Sequence, residues 1–207
     1  AINTLLMGDG DDTVYASEGD DDLDGGSGSD LLDFSGLTTT FGVAVDLNTQ
    51  NNAVFYTTTN NYNQKTNGFE NIIGSNQNDN IQGTNDVTNG NTLYGRNGDD
   101  NNTAWAGDDT VYGEFGDDSL SGGSGNDTLE GGDNDDTLNG GIGDDSLLGG
   151  NNTDTITYED SISGVKVNIE STVTQGGILA NTASGEGNDT LDSIENIIGS
   201  DLTDTLY

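Results

Sequence analysis

The sequence predicts an all-β chain built as a stack of short repeats, a solenoid without helices. Three observations predict it. From Gly95 to Thr157 the chain repeats every nine residues without a slip, as GRNGDDNNT, AWAGDDTVY, GEFGDDSLS, GGSGNDTLE, GGDNDDTLN, GGIGDDSLL and GGNNTDTIT. A fixed short period marks a stacked architecture, in which each unit buries its apolar residue only against its neighbours. Position six is an acid in every block: Asp100, Asp109, Asp118, Asp127, Asp136, Asp145 and Asp154. Position eight is apolar as Val111, Leu120, Leu129, Leu138, Leu147 and Ile156, with Asn102 the exception. Finally, glycine is too frequent for helices, at 33 of 207 residues, and no apolar stripe recurs at the 3.6-residue period.

Within a block each position has a physical reason. Glycines gather at positions one, two and four, where they allow positive φ and a tight turn. A turn without side chains directs its carbonyl oxygens at a common centre, and the Asp at position six adds a carboxylate. Six or more hard oxygens around one point are what calcium requires. The three residues after the Asp then form a short strand whose middle residue points inward and whose flanking residues point outward. Each block is thus half a coil: one calcium turn, one strand and one core residue. Acids at position nine, such as Asp24, Asp33 and Glu130, are expected on the outside.

Taken in order, the chain opens with three blocks, Met7–Tyr15, Ala16–Asp24 and Gly25–Asp33. The period then stops. Val43, Val45 and Leu47 alternate at period two, which predicts a strand, and a polar Asn/Thr-rich stretch follows to about Asn67. The period resumes at Gly74–Gln82 with Asp79, and the next block, Gly83–Tyr94, is longer and has Asn91 where the acid belongs. The clean blocks follow. A second departure copies the first: Asp154, Tyr158, Val165, Val167 and Ile169 match Asp30, Phe34, Val43, Val45 and Leu47. Likewise Ser193–Ser200 (SIENIIGS) matches Gly68–Ser75 (GFENIIGS), and repeats return around Asp189 and Asp204. The expected division is a first roll at 1–33, a strand and loop insert at 34–73, the main roll at 74–157, a second insert at 158–183 and the start of a further roll at 184–207. The inserts are expected to extend or cap the roll and to carry an exposed loop, where any binding specificity would lie.

Composition narrows the function. Three basic against 38 acidic residues give a formal charge of −35, which argues against nucleic acid and anionic membranes as partners. High charge with only 29% hydrophobic residues is the composition of a disordered chain. That reading applies without calcium. It fails with calcium, because the acids and the apolar residues each hold one place in the repeat. The absence of Cys removes disulfides and thiolate metal sites, and the absence of His removes the usual general base. No run approaches the ~18 apolar residues of a membrane-spanning helix. The opening residues lack a basic region and enter a calcium block at once, unlike a signal peptide.

The blocks resemble the glycine-rich nonapeptide of the RTX (repeats-in-toxin, haemolysin-type calcium-binding) family, GGxGxDx-(apolar)-x. Gly25–Asp33 and Gly122–Glu130 match every fixed position. The resemblance implies a parallel β-roll with two blocks per coil and calcium between turns on the same edge. It implies that one turn supplies the carbonyls of positions two and four and its Asp. The turn two blocks later supplies the carbonyls of positions one and three and its Asp. Carried over, Gly8, Gly10 and Asp12 share an ion with Gly25, Ser27 and Asp30; Arg96, Gly98 and Asp100 with Gly113, Phe115 and Asp118. Trp105, Gly107 and Asp109 share one with Gly122, Ser124 and Asp127; Glu114, Gly116 and Asp118 with Gly131, Asp133 and Asp136. Gly123, Gly125 and Asp127 share one with Gly140, Ile142 and Asp145; Gly132, Asn134 and Asp136 with Gly149, Asn151 and Asp154. Asp79 with Asp100 makes a further pair, for about seven ions in all, and Asn91 weakens its own site.

The family's proteins are usually exported unfolded by a type I route with a C-terminal signal. That signal would lie beyond Tyr207, so the chain is expected to be an excerpt of a larger protein. The expected function is a non-enzymatic calcium-binding module, folding outside the cell and serving as a structural or spacer unit of a bacterial surface layer, adhesin or fibrous protein. Its partners are calcium and like modules, with no nucleic acid and no membrane insertion. The alternative is the C-terminal export and folding module of a secreted protease, lipase, epimerase or haemolysin. Other motifs lead elsewhere and fail. Asp20–Gly25 begins like an EF-hand loop, but its twelfth position is Leu31 rather than Glu. The Asn-x-Thr sequons fall inside turns, which Asn and Thr suit. No paired acids form a recognisable acid/base constellation. The position-seven hydroxyls form too irregular a ladder for ice binding. Trp105 is expected to pack over the weak spot that Asn102 makes in the stack.

Overall fold

The structure, a computed structural model, describes residues 4–17, 19, 21–38, 40–48, 53–56, 61–162, 164, 166–167 and 187–206. Asp20, Val165, Ile169, Tyr207 and most of the second insert lie outside the described residues. Among the described residues there is no helix, and the strands form two long sheets and one short pair. The chain is a parallel β-solenoid. Within the repeats each strand pairs with the strand two blocks away, as in Val111 with Leu129 and Leu120 with Leu138. Two blocks therefore close one coil, and alternate blocks build opposite sheets.

The first sheet runs unbroken from Thr13–Tyr15 through Leu31–Asp33, Asn71–Ile73, Thr92–Asn97, Thr110–Phe115, Thr128–Asp133 and Ser146–Asn151 to Thr190–Asp192. The second contains Thr4–Asp9, Asp22–Ser27, Asn61–Asn67, Ala53–Tyr56, Ala44–Asp46, Asn80–Gln82, Asn101–Ala106, Ser119–Ser124, Thr137–Ile142, Thr155–Thr157 and Asn196–Ile198. Between the sheets the position-eight side chains meet in one core. Leu32, Ile72, Leu93, Val111, Leu129 and Leu147 line one side, and Val45, Ile81, Leu120, Leu138 and Ile156 the other, each at most 2% exposed. Every turn of the stack adds one aliphatic layer, so burial is shared evenly and no layer is large.

Strands in the clean array are six residues long rather than three, except the last, Thr155–Thr157. Each begins after the Asp and runs on through positions one to three of the next block. Position one therefore also faces inward, and the buried residues of a block are the first-position glycine, the Asp and the position-eight residue, with Ala104 in place of glycine and Ala106 and Gly107 buried as well in the second block. Asp33 departs from the expected outward direction. It is buried and accepts a hydrogen bond from the Ser35 N–H at 2.7 Å.

The first insert extends the second sheet without dividing the first. Leu32 pairs directly with Ile72 in the first sheet across the inserted residues. In the second sheet the chain makes an antiparallel excursion, Ala44–Asp46 against Ala53–Tyr56 against Asn61–Asn67, which fits between parallel neighbours on both sides. The polar stretch gains its strand Asn61–Asn67 through backbone pairing with Asp22–Asp24, which needs no apolar pattern. The second insert repeats the arrangement: Ile156 pairs with Ile197 as Leu32 does with Ile72, and Lys166–Val167 pairs with Thr205–Leu206 as Ala44–Asp46 does with Asn80–Gln82.

Asn102 is the one flaw in the clean array's core column. It is fully buried between Ile81 and Leu120, and neither atom of its amide has a partner. Replacing a buried, unsatisfied amide by an aliphatic chain of similar size removes its desolvation cost. Asn102→Leu is expected to stabilise the fold by about 1–3 kcal/mol, read as a higher Tm in thermal melting. A lower Tm would show that the amide is satisfied in solution.

Candidate metal centre

The two turn glycines and the position-one glycine have different tasks. Positions two and four take positive φ, as at Gly123 (116°), Gly125 (135°), Gly8 (107°) and Gly10 (115°). Residues other than glycine accept the same conformation at Arg96 (86°), Trp105 (79°), Glu114 (78°) and Asn134 (92°). Position-one glycines such as Gly113, Gly122 and Gly131 have no positive φ and are glycine for space. A Cβ on Gly113 would meet the Asp118 Oδ2 and, 2.6 Å away, the Gly131 carbonyl oxygen.

These close approaches define an oxygen-lined gap between turns two blocks apart. A Cβ on Gly123 would strike the Trp105 carbonyl, and one on Gly125 the Gly107 carbonyl. The same relation holds for Gly132 with Glu114, Gly141 with Gly123, Gly150 with Gly132, Gly116 with Gly98 and Gly26 with Gly8. The carbonyls of positions two and four therefore point at the following turn. From that turn the position-one carbonyl faces back, and the position-three carbonyl accepts the position-four N–H. Examples are Phe115 from Gly98, Ser124 from Gly107 and Ile142 from Gly125, each at 2.9 Å, and Ser27 from Gly10 at 2.8 Å. Asp133 and Asn151 occupy the equivalent place on their strands, opposite Phe115 and Asp133 respectively. The structure thus places each sequence-derived group of residues, from Gly8, Gly10 and Asp12 with Gly25, Ser27 and Asp30 to Gly132, Asn134 and Asp136 with Gly149, Asn151 and Asp154, on facing turns.

The aspartates complete the gap. The backbone N–H of each Asp donates to the Oδ1 of the Asp two blocks later: Asp100 to Asp118 (2.8 Å), Asp109 to Asp127 (2.9 Å), Asp118 to Asp136 (2.8 Å), Asp127 to Asp145 (2.9 Å) and Asp136 to Asp154 (2.9 Å). Asp12 does the same to Asp30 at 2.8 Å. The second oxygen is left over. The Oδ2 atoms of Asp30, Asp100, Asp109, Asp118, Asp127, Asp136, Asp145 and Asp154 are buried and have no hydrogen-bond partner. Burial pushes the Asp100 carboxyl up to about 8, those of Asp118, Asp127 and Asp136 to about 7, and those of Asp109 and Asp145 to about 6. Neighbouring carboxylates add to the rise. The backbone N–H groups oppose it.

Buried anions need partners, and a chain with three basic residues cannot supply them. Among the described residues no three acids converge. Each gap offers two carboxylates and a set of carbonyls, a hard all-oxygen donor set that fits calcium.

The sequence model of the RTX calcium-binding nonapeptide repeat matches residues 3–32, 88–120 and 121–156. The chain carries RTX calcium-binding nonapeptide repeats. No curated protein matches the chain. Among solved structures, the extracellular lipase LipA from Serratia marcescens aligns at 20% identity with a TM-score of 0.26, over 94% of this chain and 37% of the lipase chain.

Three other turns are closed by hydroxyls, a feature that the sequence reading missed. Asp79 lies opposite Asp100, to whose Oδ1 its N–H donates at 2.7 Å, but its own oxygens are taken. Ser75 N–H donates to its Oδ2 (2.6 Å), and Ser75 Oγ (2.7 Å) and the Val43 N–H (2.6 Å) donate to its Oδ1. The Asn91 Oδ1 accepts from the Thr84 N–H at 2.8 Å and from Thr84 Oγ1 at 3.3 Å, and the Asp204 Oδ1 from Ser200 Oγ at 2.7 Å. The available signal was a Ser or Thr at position two, where glycine is usual. Asp189 is met by the Tyr158 hydroxyl at 2.8 Å. Trp105 stands on its turn, 41% exposed, while Asn102 lies fully inside.

These shifts carry a pH dependence. In the calcium-free fold the buried aspartates hold protons that an unfolded chain releases around the ordinary value of 3.8. Their contribution to stability is therefore greatest below 3.8 and is lost as pH rises toward about 8. Calcium needs the ionised form, so protons and calcium are alternative ways to neutralise the stack. In chelator the chain is expected to gain β structure by circular dichroism as pH falls from about 8 toward the ordinary value of 3.8, because only protonated carboxyls can be buried there without an ion. A chelated chain equally disordered across this range would contradict the assignment.

Proposed function

We propose that this chain is a non-enzymatic module that folds on calcium outside the cell and serves as a structural unit of a bacterial surface or fibrous protein. The observation that carries the calcium reading is the column of buried Asp Oδ2 atoms without partners, each in a gap lined by carbonyls. In the central gap the carbonyls of Gly123, Gly125, Gly140 and Ile142 with Asp127 and Asp145 would hold the ion. Asp127 would serve two gaps, since it also faces Asp109. Calcium supplies the positive charge that lets stacked carboxylates approach.

The core contributes one aliphatic layer per block, too little alone to offset chain entropy. Ion binding and folding are therefore one event. The chain is expected to be largely disordered in chelator and β-rich at millimolar calcium, with a steep transition because each ion joins two turns. Magnesium, which prefers a tighter octahedron, should substitute poorly. Circular dichroism unchanged by chelation would overturn the proposal.

The duplicated unit of about 120 residues supports a structural role, because repetition of a stackable unit adds length. Carboxylates suited to bridging between rods are Glu130 and the exposed position-five acids. The latter stack in columns, with the Asp117 N–H donating to Asp99 at 3.1 Å and the Asp135 N–H to Asp117 at 3.2 Å. Light scattering is expected to show lateral association above the calcium level that completes folding, reversed by chelation. A chain that stays monomeric at high calcium would favour an export and folding module joined to a secreted enzyme or toxin.

A further inference from the structure

Where the chain rejoins the stack after each insert, it carries an acid that no repeat pattern assigns. In the first, the Asp30 N–H donates to Glu70 Oε2 at 2.9 Å across 40 residues; in the second, the Asp154 N–H donates to Glu195 Oε2 at 2.8 Å across 41. These bonds replace the N–H to Oδ1 link that joins successive aspartates elsewhere. Each glutamate lies two residues before an inward aliphatic residue, Ile72 or Ile197, which is the spacing of position six to position eight.

The rest of the gap is present as well. Asp30 and Asp154 are both fully buried, and the Oδ2 of each has no partner. In the clean array such an oxygen faces the position-one carbonyl of the next coil, as Asp118 faces Gly131. Here the same place is filled from the insert. A Cβ on Gly25 would meet both the Asp30 Oδ2, 2.9 Å away, and the Gly68 carbonyl. One on Gly149 would meet the Asp154 Oδ2, 2.6 Å away, and the Ser193 carbonyl. Gly68 and Ser193 both take positive φ, at 64° and 53°, which turns these carbonyls back toward the preceding coil. A serine held in the left-handed region at the same place as a glycine shows that the turn, rather than the residue type, is kept.

We propose that Asp30, Gly68 and Glu70, and in the second copy Asp154, Ser193 and Glu195, form two further sites for a calcium-like divalent cation that clamp the ends of the inserts onto the roll. The proposal rests on the calcium reading of the array. The glutamate has a structural reason. In these turns the position-six and position-seven N–H groups both donate to the preceding Asp carbonyl, at 3.2 and 3.0 Å from Glu70 and Asn71, and at 3.1 and 2.9 Å from Glu195 and Asn196. In the clean array only the position-seven N–H does so, as from Thr137 to Asp118 at 2.8 Å. The turn is drawn toward the Asp backbone, and the acid reaches its N–H with a side chain one methylene longer. Each ion would join residues some 40 positions apart, so an insert could leave the stack only by releasing it.

The test is the number of calcium ions bound by the whole chain, from native mass spectrometry and calorimetric titration with calcium alone, for wild type, Glu70→Gln, Glu195→Gln and the double variant. Glutamine keeps an oxygen that can accept the Asp N–H, so a purely hydrogen-bonding role would leave the count unchanged. The expected result is a loss of one ion in each single variant and two in the double, with a β-rich spectrum at saturating calcium. A wild-type count in the double variant would overturn the proposal while leaving the array intact; absence of calcium binding by the wild type would instead overturn the parent reading. Should the glutamine variants fail to fold, Glu70→Asp and Glu195→Asp decide. A full ion count with a higher calcium midpoint supports the sites, and a wild-type midpoint refutes them.

Discussion

A buried aspartate oxygen that nothing in the protein satisfies is the constraint on which this structure depends. One oxygen of each repeat carboxylate is fixed by a backbone N–H from the coil before, and the other faces carbonyls between turns. Water is excluded, the chain has almost no cations, and burial raises the proton affinity of the group. Such a stack has two ways to exist: with protons on its carboxyls or with cations between its turns. Everything else, from the thin core to the glycine turns, suits a fold in which that charge is neutralised from solution.

The glycines follow from the same constraint. At positions two and four they serve conformation, and at the clean-array sites where other residues stand there, the backbone remains left-handed. For Trp105 and Glu114 this costs roughly 1–2 kcal/mol each, less at Asn134, whose side chain tolerates the region. At position one the reason is space, because a single methyl would occupy the place where the carboxylate and the opposing carbonyl meet. The repeat keeps both kinds of glycine because an ion gap needs both its turn and its room.

The inserts show how a periodic stack tolerates a non-periodic segment. One sheet continues as if nothing had been inserted, Leu32 directly against Ile72, while the other absorbs an antiparallel excursion. The turns around an insert are handled differently. Glu70 and Glu195 continue the carboxylate column, whereas Ser75 and Ser200, at the start of the following block, close their turns with a hydroxyl. The hydroxyl donates to Oδ1, and at Asp79 the Ser75 N–H also occupies the Oδ2 that other turns leave open, so that turn does not depend on an ion to satisfy its carboxylate.

The sequence by itself determined the all-strand solenoid, the two-block coil, the inward position-eight residues and the aspartate columns, though not the inward position one or the burial of Asp33. A strict period puts chemically equal residues in register, so one block describes them all. It also determined the duplicated unit, through FENIIGS and IENIIGS. It did not distinguish Asp79 from Asp100, which occupy the same place in the repeat. Only the tertiary structure shows that Ser75 and Val43 saturate one while the Oδ2 of the other stays open. It did not find the strand Asn61–Asn67, which is held by backbone pairing to Asp22–Asp24, nor did it assign the glutamates a place beside Asp30 and Asp154. The physical reason is the same in each case. A periodic pattern carries information only while the register is unbroken, and these contacts cross the inserts, where the partner is set by how the chain returns to the stack.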